Sequence, residues 1–303
     1  MKFIMYFVMM ILLTVLISFS LPAVFSKQDM SLRTQARSYY SVDSQGYEHS
    51  LKMKNGTVGV IIRSHEDYSD SLMSLLWALE AQYFDSNIVA VIVPTEFQSI
   101  KLLKEKLQKH WGNNVDTNRK VSLLFMDFSQ DIYDSYCCVL QPLCTPEWYD
   151  RKLKENWSAQ ALERYCAVNS PLHYILTDKA LAYLLSTCKL CQYVVVTNAD
   201  NSYSPHFMEK TVNYIQSTNS DIVLTDMLHR DSYMPVEVEN GKMDLGCALF
   251  GVQFLQKYSI SFVSSLPSPT EPQHWHDADY WFVNKCVSKG AHVGIIRNVL
   301  FSH

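Results

Sequence analysis

The sequence predicts an α/β fold in which helices cover both faces of a mostly parallel central sheet. Short runs of consecutive apolar residues alternate with longer amphipathic segments, and this pattern is typical of parallel strands buried on both sides. Of the 303 residues, 48% are hydrophobic and 18% are charged, which is enough apolar material for a large core. The net charge is −4 and no long basic block occurs, so nothing in the charge pattern indicates nucleic-acid binding.

The first segment of the chain is apolar and precedes the predicted domain. Residues 3–25 carry no charge, and at about 1.5 Å per residue a helix of this length crosses roughly 30 Å of hydrocarbon. We therefore expect residues 1–26 to be a signal anchor that stays in the membrane as a transmembrane helix. Pro22 and Ser26 leave open the alternative of a signal peptide cleaved after Ser26. Both alternatives send the rest of the chain across the membrane.

Residues 27–56 are polar and lack a sustained period, which predicts a stem between membrane and domain. Two glycosylation acceptor patterns, Asn55-Gly56-Thr57 and Asn156-Trp157-Ser158, agree with a luminal location. An even number of cysteines in a secretory chain favours disulfides, although their pairing stays open. The eight are Cys137, Cys138, Cys144, Cys166, Cys188, Cys191, Cys247 and Cys286. For the pair at 188 and 191, a disulfide or buried thiols are favoured over zinc, because no second pair has matching spacing.

The first half of the domain alternates strands and helices. The predicted strands are 58–62, 88–93 and 121–126, and the predicted helices are 69–84 and 96–110. Ser69 or Asp70 is the expected cap of the first helix and Thr95 that of the second. Neither a GxGxxG nor a GxxxxGK[ST] motif follows the first strand, which argues against a dinucleotide fold or a P-loop NTPase. Residues 128–157, with three cysteines and two prolines, are predicted to be an insertion.

The second half is predicted to be mixed. Its predicted strands are 192–197, 221–225 and 292–301, and its predicted helices are 159–167, 171–187, 205–218, 251–258 and 277–289. Pro205 is expected in the first turn of its helix. Residues 236–244 alternate around Asn240-Gly241, a strong hairpin signal that adds antiparallel strands to the sheet.

Polar residues follow the predicted parallel strands where each strand ends. They are Arg63 to Glu66, Pro94 to Glu96, Asp127, and Asn198 to Asn201. In open α/β sheets, ligands bind outside the carboxyl ends of the strands, so we expect one shared rim. There, Asp200 would be a hard oxygen ligand suited to Mg²⁺ or Mn²⁺, which would neutralise a diphosphate. The alternative is that Asp200 only stabilises its own turn.

Residues 58–303 resemble the GT-A fold glycosyltransferases, in particular the family-2-like nucleotide-diphospho-sugar transferases. The resemblance is carried by the order and spacing of four segments, VGVIIRSHEDYSDSLMSLLWALEAQ, LTDKALAYLLSTCKLCQYVVVTNADNSYSP, MDLGCALFGVQFLQ and HDADYWFVNKCVSKGAHVGIIRNVLFSH. It implies a Rossmann-like GT-A sandwich and a catalytic domain over residues 57–303.

The resemblance also implies a metal site. The family's DxD motif ends a strand and binds a divalent metal with the sugar-nucleotide diphosphate, and here it reads Asn198-Ala199-Asp200. Asp200 matches the metal-binding position, whereas Asn198 has an amide where the family has the first carboxylate. This departure puts metal dependence in doubt. His303 matches a histidine that completes the family's site with Mn²⁺ or Mg²⁺, the alternative being an uninvolved terminal residue.

Further roles follow from the resemblance. Asp277 matches the acid that acts as catalytic base at the start of a late helix, the alternative being that Asp277 and Asp279 only cap that helix. Asp277-Ala278-Asp279 also spells DxD, but it does not lie at the tip of a buried strand. Candidate contacts to the nucleotide are His65, Glu66, Glu96 and Asp178, together with Asn198 and Asp200; caps or surface charges are the alternative for the first four. Asp244 is a candidate acceptor contact.

Together these features predict a luminal, metal-assisted and inverting glycosyltransferase. It would move a sugar from a UDP- or GDP-sugar to a hydroxyl on a glycan, protein or lipid. We expect a single-pass type II protein of the Golgi or endoplasmic reticulum membrane. Because of Asn198, one alternative is a catalytically inactive GT-A-like luminal binding or scaffold protein. Another is a secreted sugar-binding protein released by cleavage near Ser26.

Overall fold

The computed structural model describes residues 57–111, 119–136, 144–160, 162 and 170–303. The predicted anchor at 1–26 and stem at 27–56 lie outside these residues. Within the described ranges, no helix is both long and apolar enough to cross a membrane. The strands are β1 (Thr57–Ser64), β2 (Ile88–Pro94), β3 (Val121–Phe125), β4 (Cys191–Asn198), β5 (Ser202–Tyr203), β6 (Ile222–His229), β7 (Ser232–Met234), β8 (Ala248–Gly251) and β9 (Val293–Ser302).

Helices of different lengths connect these strands. They are α1 (Ser69–Glu80), α2 (Ser99–Trp111), α3 (Gln130–Tyr136), α4 (Pro146–Lys154), α5 (Ser170–Thr187), α6 (Phe207–Thr218), α7 (Val252–Tyr258), α8 (Phe262–Ser265), α9 (Pro272–His276) and α10 (Ala278–Ser288). Short 3-10 turns lie at Glu66–Tyr68 and Leu245–Cys247. Of the predicted helix 159–167, only residues 159, 160 and 162 are described, and all three are helical.

The described strands form one sheet in the order β3-β2-β1-β4-β8-β6-β9-β5, with β7 paired to β6. The first four are mutually parallel, as their continuous apolar runs predict. Every residue of β1 and β2 is buried. The predicted parallel, doubly covered half of the sheet is therefore confirmed.

The other half of the sheet is mixed. Strand β8 runs antiparallel to both β4 and β6, whereas β9 runs parallel to β6. The mixed character is confirmed, but the hairpin predicted around Asn240-Gly241 is wrong, because residues 236–244 contain no strand. The antiparallel turn lies instead between β6 and β7, at Arg230 and Asp231. Both residues have positive φ, 47° and 63°, as a two-residue hairpin of the primed type requires.

Tertiary hydrogen bonds displace several predicted helix starts. Thr95 does not cap α2, because its hydroxyl donates to the backbone oxygen of Ser64 and thereby joins the ends of β1 and β2. Helix α1 begins at Ser69 after a 3-10 turn, so its N-cap is Tyr68 and not Ser69 or Asp70. Pro205 precedes α6 by two residues and is not in its first turn.

Helix α5 lies directly against the central strand β1. A Cβ atom built on Gly59 would come within 2.4 Å of Leu184 Cδ2, so the two elements approach closely there. The following turn is closed by a disulfide between Cys188 and Cys191, which confirms the preference for a disulfide over zinc at this pair. Cys144 is also disulfide-bonded, whereas Cys247 and Cys286 are buried free thiols. Cys137, Cys138 and Cys166 lie outside the described residues.

Candidate functional site

The carboxyl ends of the parallel strands meet at one edge of the sheet, which we call the rim. Arg63 at the end of β1 is the register partner of Asn198 at the end of β4, and Ser64 pairs with Pro94 of β2. The chain leaves β4 in a turn at Ala199-Asp200, so the strand carries this acid to the rim as predicted.

Arg63 is the buried cation of the rim. Its side chain is 8% exposed, and its Nε donates to Asn198 Oδ1 at 2.8 Å. Its guanidinium lies over the Tyr174 ring, 5.2 Å from the centroid. Burial by itself lowers the pKa of Arg63, but the nearby groups of Tyr174, Asp279 and Asp244 outweigh it and the pKa is raised. Arg63 is therefore permanently charged.

Tyr174 connects Arg63 to the start of α10. Its hydroxyl donates to Asp279 Oδ1 at 2.7 Å. Burial and the Asp279 carboxylate raise the pKa of Tyr174 well above its ordinary value, so the phenol remains a hydrogen-bond donor. An acid on α10 is thus connected through Tyr174 to the end of β1.

Asp244 lies at the same edge. Its Oδ1 accepts from the backbone N–H of Gly246 at 2.7 Å and caps the 3-10 turn before β8. Burial and the charge of Asp279 raise the pKa of Asp244, while His303, the Gly246 N–H and Arg63 act in the opposite direction. Its other oxygen lies 3.8 Å from His303 Nδ1.

His303 is positioned by the turn that follows β4. Its Nδ1 lies 2.7 Å from Asn201 Oδ1, and Asn201 Nδ2 in turn donates to Thr197 Oγ1 at 2.9 Å. Because the amide oxygen faces the ring, Nδ1 carries the hydrogen, and in the neutral imidazole Nε2 holds the lone pair. The ring also stacks on His229, with centroids 5.5 Å apart. The Asn201 amide therefore fixes the orientation of the His303 ring and leaves Nε2 as its acceptor.

These residues form a polar cluster at the rim, joined by hydrogen bonds, ring contacts and charge interactions. Its members are Asn198, Arg63, Tyr174, Asp279, Asp244, His303, Asn201 and Thr197, which we call the rim network. The network joins β1, β4, α5, α10 and the end of β9 at one place. Segments that are far apart in the sequence therefore provide adjacent polar groups, the arrangement expected of a ligand site.

Asp200 and His65 lie beside this network. Asp200 is exposed, and burial followed by the charges of Asp200 and Asp67 raises the pKa of Tyr68. The His65 ring lies 3.9 Å from the Tyr68 ring, and its Nδ1 accepts from the Asp67 N–H at 3.3 Å. The segments after β1 and β4 thus bring His65 and Asp200 near the same tyrosine.

The other predicted contacts are placed differently. Both oxygens of Asp178 accept backbone N–H groups at the start of α8, from Phe262 at 2.6 Å and from Val263 at 3.0 Å. This carboxylate stabilises a helix terminus, and its nucleotide contact stays a prediction. Glu96 follows β2 at the rim, and its Oε2 lies 3.4 Å from Gln98 Nε2. Glu66 lies in the 3-10 turn after β1, and its side chain is outside the described set.

Asp277 lies between α9 and α10. Its Oδ2 accepts from Asn240 Nδ2 at 3.0 Å, and its Oδ1 lies 3.3 Å from His276 Nδ1. It occupies the N-cap position of α10, as the capping alternative holds, but its side chain makes no capping hydrogen bond there. Its role as catalytic base stays a prediction.

The donor set of the rim fits a metal only in part. Among the described residues, no group of three or more His, Cys, Asp or Glu side chains is arranged to hold one. The Asn198 oxygen accepts a hydrogen bond from the charged Arg63, so the cation adjacent to it disfavours a metal ion at the same oxygen. Asp200 and His303 offer a carboxylate and an imidazole, and Mg²⁺ in proteins commonly takes one or two carboxylates together with substrate phosphates. Joint binding of one metal by these two residues stays a prediction.

Arg63, Tyr174 and Asp279 were not predicted as site residues. Arg63 lies within the predicted rim, so its strand-end position was a usable signal. Tyr174 lies within an apolar helical segment, where the sequence does not distinguish it from core residues. Its hydrogen bond to Asp279 is visible only in the structure. For Asp279 the sequence indicates a helix cap, or part of a DxD pattern that does not follow a buried strand.

Comparison with known proteins finds matches among solved structures alone. No family model and no curated protein matches this sequence. The structure of S. aureus TarS in complex with UDP is 12% identical, with a TM-score of 0.44, over 82% of this chain and 60% of that one. The mannosyltransferase PcManGT from Pyrobaculum calidifontis, in complex with GDP-Man and Mn²⁺, is 10% identical, with a TM-score of 0.45, over 81% of this chain and 56% of that one. These matches cover about four-fifths of this chain, which spans about 60% of the TarS chain.

Proposed function

We propose that this chain is a glycosyltransferase that moves a sugar from a nucleoside-diphosphate donor to a hydroxyl acceptor. The observation that carries the proposal is the rim network, which gathers charged and polar side chains at the carboxyl ends of the parallel strands. This is where open α/β sheets bind their ligands. The sequence resemblance to nucleotide-sugar transferases names the ligand class, a UDP- or GDP-sugar. The acceptor class is a glycan, protein or lipid.

Asp200 and His303 would hold Mn²⁺ or Mg²⁺ together with the donor diphosphate. Such a metal would neutralise the charge that develops on the leaving diphosphate. Asn201 orients the His303 ring so that Nε2 presents its lone pair. His65, Glu66 and Glu96 follow β1 and β2 at the same rim, and they are the proposed contacts to the nucleoside. Asp244, which lies beside His303, is the proposed contact to the acceptor.

The reaction needs a base that removes a proton from the acceptor hydroxyl as its oxygen attacks the anomeric carbon. A single displacement inverts that carbon. A carboxylate at the start of α10 meets this requirement, and Asp277 is the residue that sequence resemblance suggests. The buried strands behind the rim provide a rigid support for such a geometry.

We further propose that the domain is luminal and anchored by residues 1–26, as a type II protein of the Golgi or endoplasmic reticulum. The uncharged run at 3–25 and the acceptor patterns at Asn55 and Asn156 support this. In cells, glycosidase treatment should increase the gel mobility of the protein, and N-terminal sequencing should find the anchor still attached. A mature chain that begins after Ser26 would support the secreted alternative instead.

The test of the enzymatic proposal is a thermal-shift screen of the full-length protein. The panel contains UDP-N-acetylglucosamine, UDP-glucose and GDP-mannose, each with Mn²⁺ and with EDTA. A ligand that binds only the native state raises its stability, by about 2.7 kcal/mol at a hundred times Kd. We expect at least one donor to raise the Tm and to release its nucleoside diphosphate on incubation. If no member of the panel binds or is hydrolysed, the proposal is wrong.

A second function is favoured by the hydrogen bond between Arg63 and Asn198. This bond places a cation beside the oxygen that would otherwise be a first metal ligand, so the chain could be a GT-A-like luminal binding protein without turnover. Asp200→Ala discriminates between the two. An enzyme loses turnover on this substitution, whereas a scaffold retains binding to its partner.

A further inference from the structure

Two acids, two residues apart at the start of α10, face different surroundings. Asp277 immediately precedes α10, and its side chain is 23% exposed. Its hydrogen-bond partners are Asn240, from an irregular segment, and the adjacent His276. Neither partner belongs to a strand end of the rim. Among its described contacts, nothing connects Asp277 with Arg63, Asn198 or His303.

Asp279 lies in the first turn of α10 and is connected with the rim by three neighbours. Tyr174 donates to its Oδ1 at 2.7 Å. The guanidinium of Arg63 lies over the ring of the same tyrosine. The negative charge of Asp279 contributes to raising the pKa of Arg63, against the opposing effect of burial. The charge of Asp279 also acts on Asp244, which neighbours His303. Asp279 thus lies between the end of β1 and the end of β9.

We propose that Asp279, rather than Asp277, is the catalytic base that receives the proton of the attacking acceptor hydroxyl. This inference rests on the proposed glycosyltransferase function. The positions of its neighbours assign the role, because Asp279 is the α10 carboxylate that accepts a hydrogen bond from Tyr174 and so belongs to the rim network, the proposed donor site. Tyr174 is then a positioning residue, since it holds Oδ1 and leaves Oδ2 to accept the proton.

The step balances without a further reactant. The acceptor O–H bond breaks and its proton goes to Oδ2 of Asp279. The acceptor oxygen forms a bond to the anomeric carbon, while the bond from that carbon to the diphosphate oxygen breaks. The electron pair of the broken bond leaves with the nucleoside diphosphate. Water takes the place of the acceptor in donor hydrolysis and loses its proton in the same way.

Tyr174 is suited to the positioning role at any physiological pH. Burial keeps its hydroxyl protonated, so it donates to Asp279 without competing for the transferred proton. Arg63 and Asp244 are the other charged groups that face Asp279 from β1 and from the segment before β8. Of the three groups, Tyr174 fixes the carboxylate by a hydrogen bond, Arg63 attracts it and Asp244 repels it.

The experiment compares Asp279→Asn with Asp277→Asn, which make the same chemical change two residues apart. Hydrolysis of UDP-N-acetylglucosamine and GDP-mannose by the full-length protein is measured as release of UDP or GDP, and donor affinity is measured by calorimetry. For Asp279→Asn we expect unchanged donor affinity and a loss of about 10²- to 10⁴-fold in kcat, the usual cost of removing a general base. For Asp277→Asn we expect a change below about threefold.

A third variant, Tyr174→Phe, tests the positioning role and guards against misfolding of Asp279→Asn. It removes one hydrogen bond and no charge, so kcat should fall about tenfold while donor affinity stays unchanged. The inference is overturned if Asp277→Asn loses the activity, or if either Asp279→Asn or Tyr174→Phe keeps the wild-type kcat. A wild-type protein that neither binds nor hydrolyses any donor would instead overturn the proposed function, so the two failures are distinguishable.

Discussion

The amide at position 198 and the guanidinium at position 63 complement each other. Arg63 is buried and donates from Nε to the Asn198 oxygen, and two carboxylates, Asp279 and Asp244, act on its charge. An aspartate at 198 would add a third negative charge around one cation. A neutral acceptor satisfies the Nε–H without this repulsion. The departure of Asn198 from the DxD pattern is therefore explained by the charge of its strand neighbour.

Arg63→Met tests this explanation. The substitution keeps an apolar side chain of similar length but leaves the Asn198 oxygen and the nearby carboxylates without their cation. We expect the free energy of unfolding to fall by about 2–3 kcal/mol, measured by urea unfolding with tryptophan fluorescence. Arg230→Met is the control, because Arg230 is exposed and its loss should be nearly neutral. Equal stabilities of the two variants would contradict a structural role for Arg63.

The lowered pKa of the buried His173 predicts how the stability of the protein depends on pH. Burial, followed by the positive charges of Arg63 and His65, lowers the pKa of His173 to about 4, against 6.5 in the unfolded chain. Between these values the unfolded state binds more protons, so this histidine makes stability rise with pH. Its contribution is complete above pH 6.5 and is lost as pH falls towards 4.

Comparison of wild type with His173→Gln isolates this contribution. Urea midpoints are measured at intervals between pH 4 and 7. The wild-type midpoint should rise more steeply over this window than that of the variant, because glutamine does not titrate. Parallel pH profiles for the two proteins would show that His173 does not remain neutral in the folded state.

The strands were predictable because their signal is local and strong. Runs such as residues 88–93 are apolar throughout, and burial on both faces of the sheet requires that. The helix starts were harder to predict, because a side chain that could cap a helix can also bond to another element. Thr95 bonds to Ser64 in place of its own helix. The hairpin turn at Arg230-Asp231 lacks the Asn-Gly signal, which occurs nearby in a segment without strands.

Asp178 illustrates the same competition between a local and a tertiary partner. It lies within α5, yet its two oxygens accept the N–H groups of Phe262 and Val263 at the start of α8. A carboxylate is favourable there because the first N–H groups of a helix have no partner within it.

We expect Asp178→Asn to lower stability by about 0.5–2 kcal/mol, since an amide offers one acceptor oxygen where the carboxylate offers two. Donor affinity should not change if Asp178 acts only on α8. Urea unfolding and calorimetry with UDP-N-acetylglucosamine measure the two quantities. Asp131→Asn, on the shorter helix α3, is a matched surface control. A variant with wild-type stability but weakened donor binding would restore Asp178 to the nucleotide site.

The molecule as a whole assembles its site from segments that lie far apart in the sequence. Residues 63–66, 94–96 and 198–201 could be predicted to share a rim, because each segment follows a parallel strand and the carboxyl ends of parallel strands lie at one edge of the sheet. This reasoning was not sufficient to find Tyr174 or Asp279. Their contact depends on how α5 and α10 cross, and no local pattern in the sequence encodes that crossing.

The central claim is that the rim network is the donor site. Hydrogen–deuterium exchange of the full-length protein, with and without UDP-N-acetylglucosamine or GDP-mannose, tests it most directly, because it locates the ligand without requiring an acceptor. The account predicts slower exchange at the segments that follow β1 and β4 and at the end of β9, namely residues 64–68, 199–203 and 301–303. Protection confined to other parts of the chain, such as the amino ends of β2 and β3, would contradict it.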